Sequence, residues 1–301
     1  MDFGKLSDIQ NVNFHLPVEN EATTHFLSKL LPSQNPQIQL GCPAWTCKEW
    51  IGKIYPFGTN PQNFLREYSR HFDTVEFNST HYHIPNASQI QQWKNKALSP
   101  FTFCPKIPQS ISHFRRLKNV QSLVNEFTES IAQFDEKLGA CFIQLPPDFS
   151  PKESENLIEF IDLFPQKIPL AIEFRHEDWF KGGILPEKVF SEMEKHKVAT
   201  VITDVAGRRD VLHQRLTANF VLIRFVGNAL HPTDYQRIDE WAVQIENWLG
   251  RGIEKIFFFL HQPQEALCPE IAFYAAQKFR FNKLQFKSPI FIPKKMQKSL
   301  F

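Results

Sequence analysis

Glu76 and Asn78 in VEFNSTHYHIP stand two apart at the end of an apolar run, so extended backbone turns both to one face. A carboxylate in such a place, partly removed from water, rises in pKa unless a cation or metal compensates it. Thr80 and Tyr82 follow on the next loop. Lys106 ends FTFCPK, and His113 follows in IPQSISHF. A lysine in an apolar mouth can become a base or imine former, hold a phosphate, or pair with Glu76. Imidazole titrates near neutrality, which makes His113 an acid/base candidate as well as an ordinary loop histidine. Gln144 closes ACFIQL and offers a donor and an acceptor together, suited to a hydroxyl or a base edge but not to general acid work. Glu173 and Arg175 in IEFRHEDW alternate in the same way, an ion pair joined to an anion clamp. Trp45 and Trp179 either stack on a sugar or nucleobase face or fill core. Asp204 ends ATVITD, Arg224 lies in FVLIRF and His261 ends KIFFFLH. The catalytic candidates are therefore Glu76, Glu173, His113, Lys106 and Asp204. The binding candidates are Trp45, Asn78, Thr80, Tyr82, Gln144, Arg175, Trp179, Arg224 and His261.

Glu76, Glu173, Asp204 and His261 are hard or borderline ligands able to surround one divalent ion, and metal stays an open alternative without a compact motif. No glycine-rich phosphate loop, nucleophile elbow or HExxH occurs, so no nucleotide-cofactor motif is present. Retaining-glycosidase barrels place an acid after strand four and a nucleophile at strand seven. Here those positions hold Gln144 and Arg224, so the required carboxylate pair is missing.

What must position these groups is a set of eight apolar runs: 38–45, 74–78, 101–106, 140–145, 170–175, 199–204, 220–225 and 255–261. They recur at roughly the length of one βα unit, about 30 residues. Near-continuous apolar strands suit a parallel sheet covered on both faces. Helical segments are predicted at 61–72, 87–98, 118–138, 150–164, 185–197, 232–250 and 264–279, with a short sixth barrel helix at 209–216. The spacing predicts an α/β fold, a (β/α)8 TIM barrel over 38–285 with its working groups at the C-terminal rim. An N-terminal extension covers 1–37, with a short helix at 21–31 and apolar residues expected over the barrel bottom. A C-terminal tail covers 286–301, where Lys287, Lys294, Lys295 and Lys298 read as a solvated end.

The 301 residues carry a net charge of +2, so no strong field draws nucleic acid, although none excludes it. Cys42, Cys47, Cys104, Cys141 and Cys268 form no CxxC pair and fit thiols in a reducing compartment. Asp2, Lys5, Asp8 and Glu19 interrupt any leader, and no apolar run approaches ~20 residues, so a cytoplasmic protein without a membrane span is expected.

The segments GCPAWTCKEWIGKIYP, YSRHFDTVEFNSTHYHIP, FCPKIPQSISHF, LGACFIQLPPDF and LAIEFRHEDW carry a resemblance. The chain resembles domain-of-unknown-function family 72, the YecE-like barrels, from about Ile38 to about Lys278. The resemblance implies a TIM-type barrel without an established activity. It implies a rim cluster at Trp45, Glu76, Asn78, Thr80, Tyr82, Lys106, His113, Gln144, Glu173, Arg175, Trp179, Asp204 and Arg224. The chain departs from the family pattern at Pro43 and Ala44, at Phe225 and Val226, and at His261 and Gln262, where the family usually carries an Asn pair.

The function expected is an enzyme for a small anionic, phosphorylated or sugar-like substrate, with Arg175, Arg224 and Lys106 binding the anion and Glu76 or Glu173 moving a proton. The alternatives are nucleic-acid binding or metal-dependent nuclease-like activity, and a non-catalytic ligand-binding protein. The oligomeric state is open.

Overall fold

Short runs rich in Val, Ile and Phe, buried on both faces, form eight strands in the computed structural model, which describes residues 4–281, 284 and 286–293. They are β1 (Gln37–Cys42), β2 (Thr74–Phe77), β3 (Thr102–Pro105), β4 (Cys141–Gln144), β5 (Leu170–Glu173), β6 (Ala199–Asp204), β7 (Phe220–Val226) and β8 (Lys255–His261). All pair in parallel, in the order β3-β2-β1-β8-β7-β6-β5-β4. Bridges Phe103–Leu138 and Lys106–Phe142 join the two outer strands. Gly139 N–H donates to Phe103 O and Ile107 N–H to Phe142 O, both at 2.8 Å, and the ring closes into a (β/α)8 barrel. At Gly41 a Cβ would stand 2.4 Å from Thr74 O, so glycine is what lets β1 and β2 approach there.

Alternate residues feed two separate cores. Cys104, Phe142, Ala171, Ala199, Val201, Leu222, Phe257 and Phe259 pack inside the barrel. Val75, Phe103, Ile143, Ile172, Ile202, Ile223 and Phe258 join the larger core beneath the helices. Since side chains alternate strictly along a strand, this parity turns Glu76, Lys106, Gln144, Glu173, Thr203, Arg224 and His261 toward the barrel mouth.

The helices are α1 (Glu21–Ser28), α2 (Phe64–His71), α3 (Ala87–Lys96), α4 (Gln121–Ala132), α5 (Ser154–Leu163), α6 (Ile184–Lys195), α7 (Pro232–Gly250) and α8 (Cys268–Lys278). Asn86 and Gln89 start α3 with a reciprocal capping box. Ser150 caps the Pro151–Glu153 turn that leads into α5. Among the described residues no helix is long and apolar enough to cross a membrane.

The helix expected at 209–216 does not form. Residues 211–218 are all buried, whereas a surface helix keeps one face in water. Threonines satisfy the backbone instead. Thr200 Oγ1 donates to Arg215 O and Thr217 Oγ1 to Val198 O, both at 2.6 Å. Thr23 of α1 donates to Gln214 O at 2.8 Å and accepts from Leu216 N–H at 2.9 Å. Thus α1 takes the outer position that a sixth barrel helix would fill. The first residues of the extension do not lie at the barrel bottom, whereas Leu30 and Leu31 pack against Gly252 just before β8. Gly207 N–H donates to Gly4 O at 2.8 Å, and Phe14 packs under the guanidiniums of Arg209 and Arg237, so residues 4–14 lie over the loop after β6.

The tail also differs from the solvated end expected. Lys287 N–H donates to Asp73 Oδ2 at 3.0 Å, its Nζ to Ser69 O at 2.7 Å, and Ile292 N–H to Lys53 O at 2.9 Å. Residues 287–292 are thereby fastened along α2. Lys294, Lys295 and Lys298 lie outside the described residues.

Candidate functional site

Arg224, projecting inward from β7, stands between two carboxylates. Its Nε and Nη2 donate to Glu76 Oε2 and Oε1 at 3.0 and 2.9 Å, a bidentate pair with β2. Its Nη1 donates to Glu173 Oε2 on β5 at 2.9 Å. Glu173 also accepts from Arg175 Nε at 2.8 Å and from Gln144 Nε2 at 2.8 Å. That second bond fixes the amide of Gln144, so its Oε1 faces β3 and accepts from Lys106 Nζ at 3.0 Å. Glu76 accepts from Asn78 Nδ2 at 2.9 Å, and its Oε2 lies 2.7 Å from His261 Nε2. Six strands thus contribute to one ionic network across the mouth. Both carboxylate residues are 0% exposed, so water does little of this solvation.

The network holds three cations, Lys106, Arg175 and Arg224, against two carboxylates, one positive charge in excess. Burial pushes the Glu76 carboxyl up, but Arg224 and His261 outweigh it and hold it well below the usual range. Burial acts likewise on Glu173, which Arg175, Arg224, Gln144 and Lys106 bring down to about 2. Burial together with Arg224 lowers the Lys106 ammonium to about 8, against the opposing pull of Glu173 and Glu76. Among the described residues no carboxylate lies within 4.0 Å of Lys106 Nζ. One of its three N–H groups is matched, by an amide oxygen.

Around this floor the loops add further groups. Thr80, buried, donates from Oγ1 to Phe77 O and Lys106 O at 2.9 and 2.8 Å and so ties the ends of β2 and β3 together. Tyr82 is 68% exposed, with its ring edge on His81. His113, half-buried on a π-helical turn, lies 2.8 Å by Nδ1 from Ser112 Oγ and 5.3 Å ring to ring from His81. Burial, Lys106 and Arg175 all lower its pKa. Trp45 lies apart from this floor, half-buried against the core beneath the helices, stacked on Phe77 and edge-on to Trp93 and Phe103.

Asp204 and Trp179 turn away from the mouth. Asp204 follows Thr203 in β6 and so has the outward parity. It accepts from Trp241 Nε1 at 2.8 Å and Arg237 Nη1 at 3.1 Å on α7, and it pairs with Arg209. Trp179 is a core residue, not a stacking platform: it is 1% exposed, it donates to Phe149 O at 2.8 Å, and it packs on Phe174. The grouping of Glu76, Glu173, Asp204 and His261 around one ion does not assemble either. Arg224 occupies the space between the first two, and Asp204 lies outside the barrel wall. Among the described residues a three-ligand grouping occurs instead at Asp162 on α5 and at Glu192 and His196 at the C-terminal end of α6.

Sequence reasoning passed over Thr203 and His81. Thr203 faces inward beside Arg224 in register, and among the described residues its buried Oγ1 has no hydrogen-bond partner. ATVITD carries no local signal for it, because the register that turns Thr203 inward is set by the neighbouring strands. His81, lowered by burial and Lys106 to about 4, holds Ile107 O through Nδ1 at 2.9 Å.

Fold and site together define a (β/α)8-barrel protein with a buried ionic network at its C-terminal mouth. The chain belongs to the family described as Protein of unknown function DUF72, whose model matches residues 39–296. It is 29% identical over 252 residues to UPF0759 protein YecE of Escherichia coli (strain K12), covering 78% of this chain and 89% of that protein. It is 28% identical over 150 residues to UPF0759 protein YunF of Bacillus subtilis (strain 168), covering 48% and 52%. Among solved structures, a DUF72 family protein (EF0366) from Enterococcus faecalis V583 superposes with a TM-score of 0.68 at 18% identity. That match covers 85% of this chain and all of the other, a likeness of fold.

Proposed function

We propose that the barrel mouth is the active site of an enzyme acting on a small anionic substrate, phosphorylated or sugar-like. One observation carries this reading: among the described residues the network buries three cations against two carboxylates, and Lys106, with no carboxylate within 4.0 Å, has two N–H groups unmatched there. A buried charge without a counter-charge is costly, and an anion seated on Lys106 relieves that cost. The orphaned Oγ1 of Thr203 at the same mouth offers a further hydrogen bond. In this reading Glu76 and Glu173 keep their charge and hold Arg224, and Glu76 orients His261, so the histidines His261 and His113 take over the proton transfer first expected of the carboxylates.

A thermal-shift series with inorganic phosphate, sulfate and sugar phosphates tests this. The wild type gains stability with at least one of them, and Lys106→Met loses that gain while melting cooperatively. Equal gains in both proteins, or none in the wild type, would refute the reading.

A further inference from the structure

We propose that Lys106 is an imine-forming nucleophile, so that the substrate class is a small carbonyl compound carrying an anionic group. The inference rests on the anion-binding reading above and deepens it by naming the reacting atom.

Four features of the structure support it. Lys106 projects into the mouth from the end of β3, and among the described residues its Nζ is held by Gln144 Oε1 alone. Gln144 is itself fixed by Glu173, so the amide stands between the amine and that carboxylate, and among the described residues no ion pair pins the ammonium. The backbone of Lys106 is anchored on both sides, its N–H on Phe77 O at 3.1 Å and its O on Thr80 Oγ1 at 2.8 Å, so the side chain is aimed from a rigid base. Arg224 and Arg175 add positive charge to the same mouth, the environment that favours a neutral amine and an incoming anion together. The amine reaches its neutral form near pH 8, where its neutral fraction is roughly a hundredfold that of a solvated lysine.

The step balances without a co-reactant. The neutral Nζ attacks the carbonyl carbon, forming a C–N bond as the C=O π pair moves to oxygen. The nitrogen gives up its protons, the oxygen takes two, and water leaves, with the C=N bond in place. In this scheme His113, whose pKa is lowered by burial and by Lys106, carries a proton between the two atoms.

The probe is pyridoxal 5′-phosphate, an anionic aldehyde, added to the full chain and reduced with borohydride before peptide mapping. A second arm uses glyoxylate, an anionic aldehyde without an aromatic ring. Lys106 is expected to be labelled at least about tenfold faster than the exposed lysines, in line with its larger neutral fraction. Inorganic phosphate should slow that labelling selectively. In Lys106→Arg, which keeps the charge, the fast phase should vanish while the phosphate-induced thermal shift persists.

If both aldehydes label only surface lysines while phosphate still stabilises the wild type, the imine proposal is overturned and the anion reading stands. If no anion stabilises the wild type, the anion reading falls as well. A fast phase that survives in Lys106→Arg also overturns the proposal.

Discussion

Replacing Arg224 by Met keeps most of the side-chain volume and removes the charge that two buried carboxylates share. Glu76 loses its bidentate partner and keeps His261 and Asn78, while Glu173 keeps Arg175 and Gln144. Breaking one side of a buried ion pair costs about 3–5 kcal/mol, because the stranded charge keeps its desolvation penalty. The pH dependence separates this from a simple packing loss. In the wild type Glu173 is depressed from 4.5 to about 2, so its contribution is present above pH 4.5 and is lost as pH falls toward 2. In Arg224→Met the burial of both carboxyls goes less opposed, they protonate at higher pH, and the variant loses stability as pH rises. The gap between the two proteins should therefore be widest near neutrality and narrow in acid. Urea unfolding followed by circular dichroism at pH 7 and pH 4 measures it. With an m-value near 3 kcal/mol/M, the midpoint at pH 7 should fall by about 1 M or more. A loss under about 1 kcal/mol, or an equal loss at both pH values, would refute the account of the network as charge-coupled.

Four other outcomes follow. Asp204→Asn should cost about 1–3 kcal/mol, because Arg209, Arg237 and the Trp241 N–H lose a shared buried carboxylate while Arg237 keeps Asp234, yet leave the anion-induced thermal shift intact; loss of that shift would place Asp204 in the site after all. Thr23→Val should cost about 1–3 kcal/mol, because Gln214 O and Leu216 N–H lose their partner, and an unchanged urea midpoint would contradict α1 as the substitute for the sixth helix. Gly41→Ala should cost about 1–3 kcal/mol or more by forcing β1 from β2, and full wild-type stability would contradict the close approach there. Burial pushes Asp73 up to about 7, so its carboxylate weakens the fold as pH rises from 3.8 toward 7. Asp73→Asn should flatten that slope in urea midpoints, and an unaltered slope would contradict it.

Strands ending in a polar residue were enough to recognise the barrel, because parallel strands walled by helices have no polar face and show up as unbroken apolar runs. The inward parity of Glu76 with Asn78, and of Glu173 with Arg175, was equally readable, and the structure brings each pair into contact. Asp204 shows the limit of that reading. The final residue of a strand points in or out according to register, and register is set by neighbouring strands rather than by its own sequence. Thr203 rather than Asp204 is the inward residue, and nothing local to ATVITD says which. Trp179 was ambiguous because an indole buries or stacks with the same chemistry, and the partner that decided it, Phe149 O, lies 30 residues away. The missing sixth helix depended on α1, nearly 200 residues earlier, which covers a segment that otherwise has a helix-like pattern. The His261–Glu76 contact joins β8 to β2, a neighbour relation that exists only across β1 in the closed ring.

A crystal soaked in sodium bromide, with anomalous scattering recorded at the bromine edge, tests the excess buried charge most directly. An anomalous peak should stand within hydrogen-bonding distance of Lys106 Nζ and be lost in crystals of Lys106→Met. Bromide confined to surface arginines and lysines, with nothing at the mouth in the wild type, would contradict it.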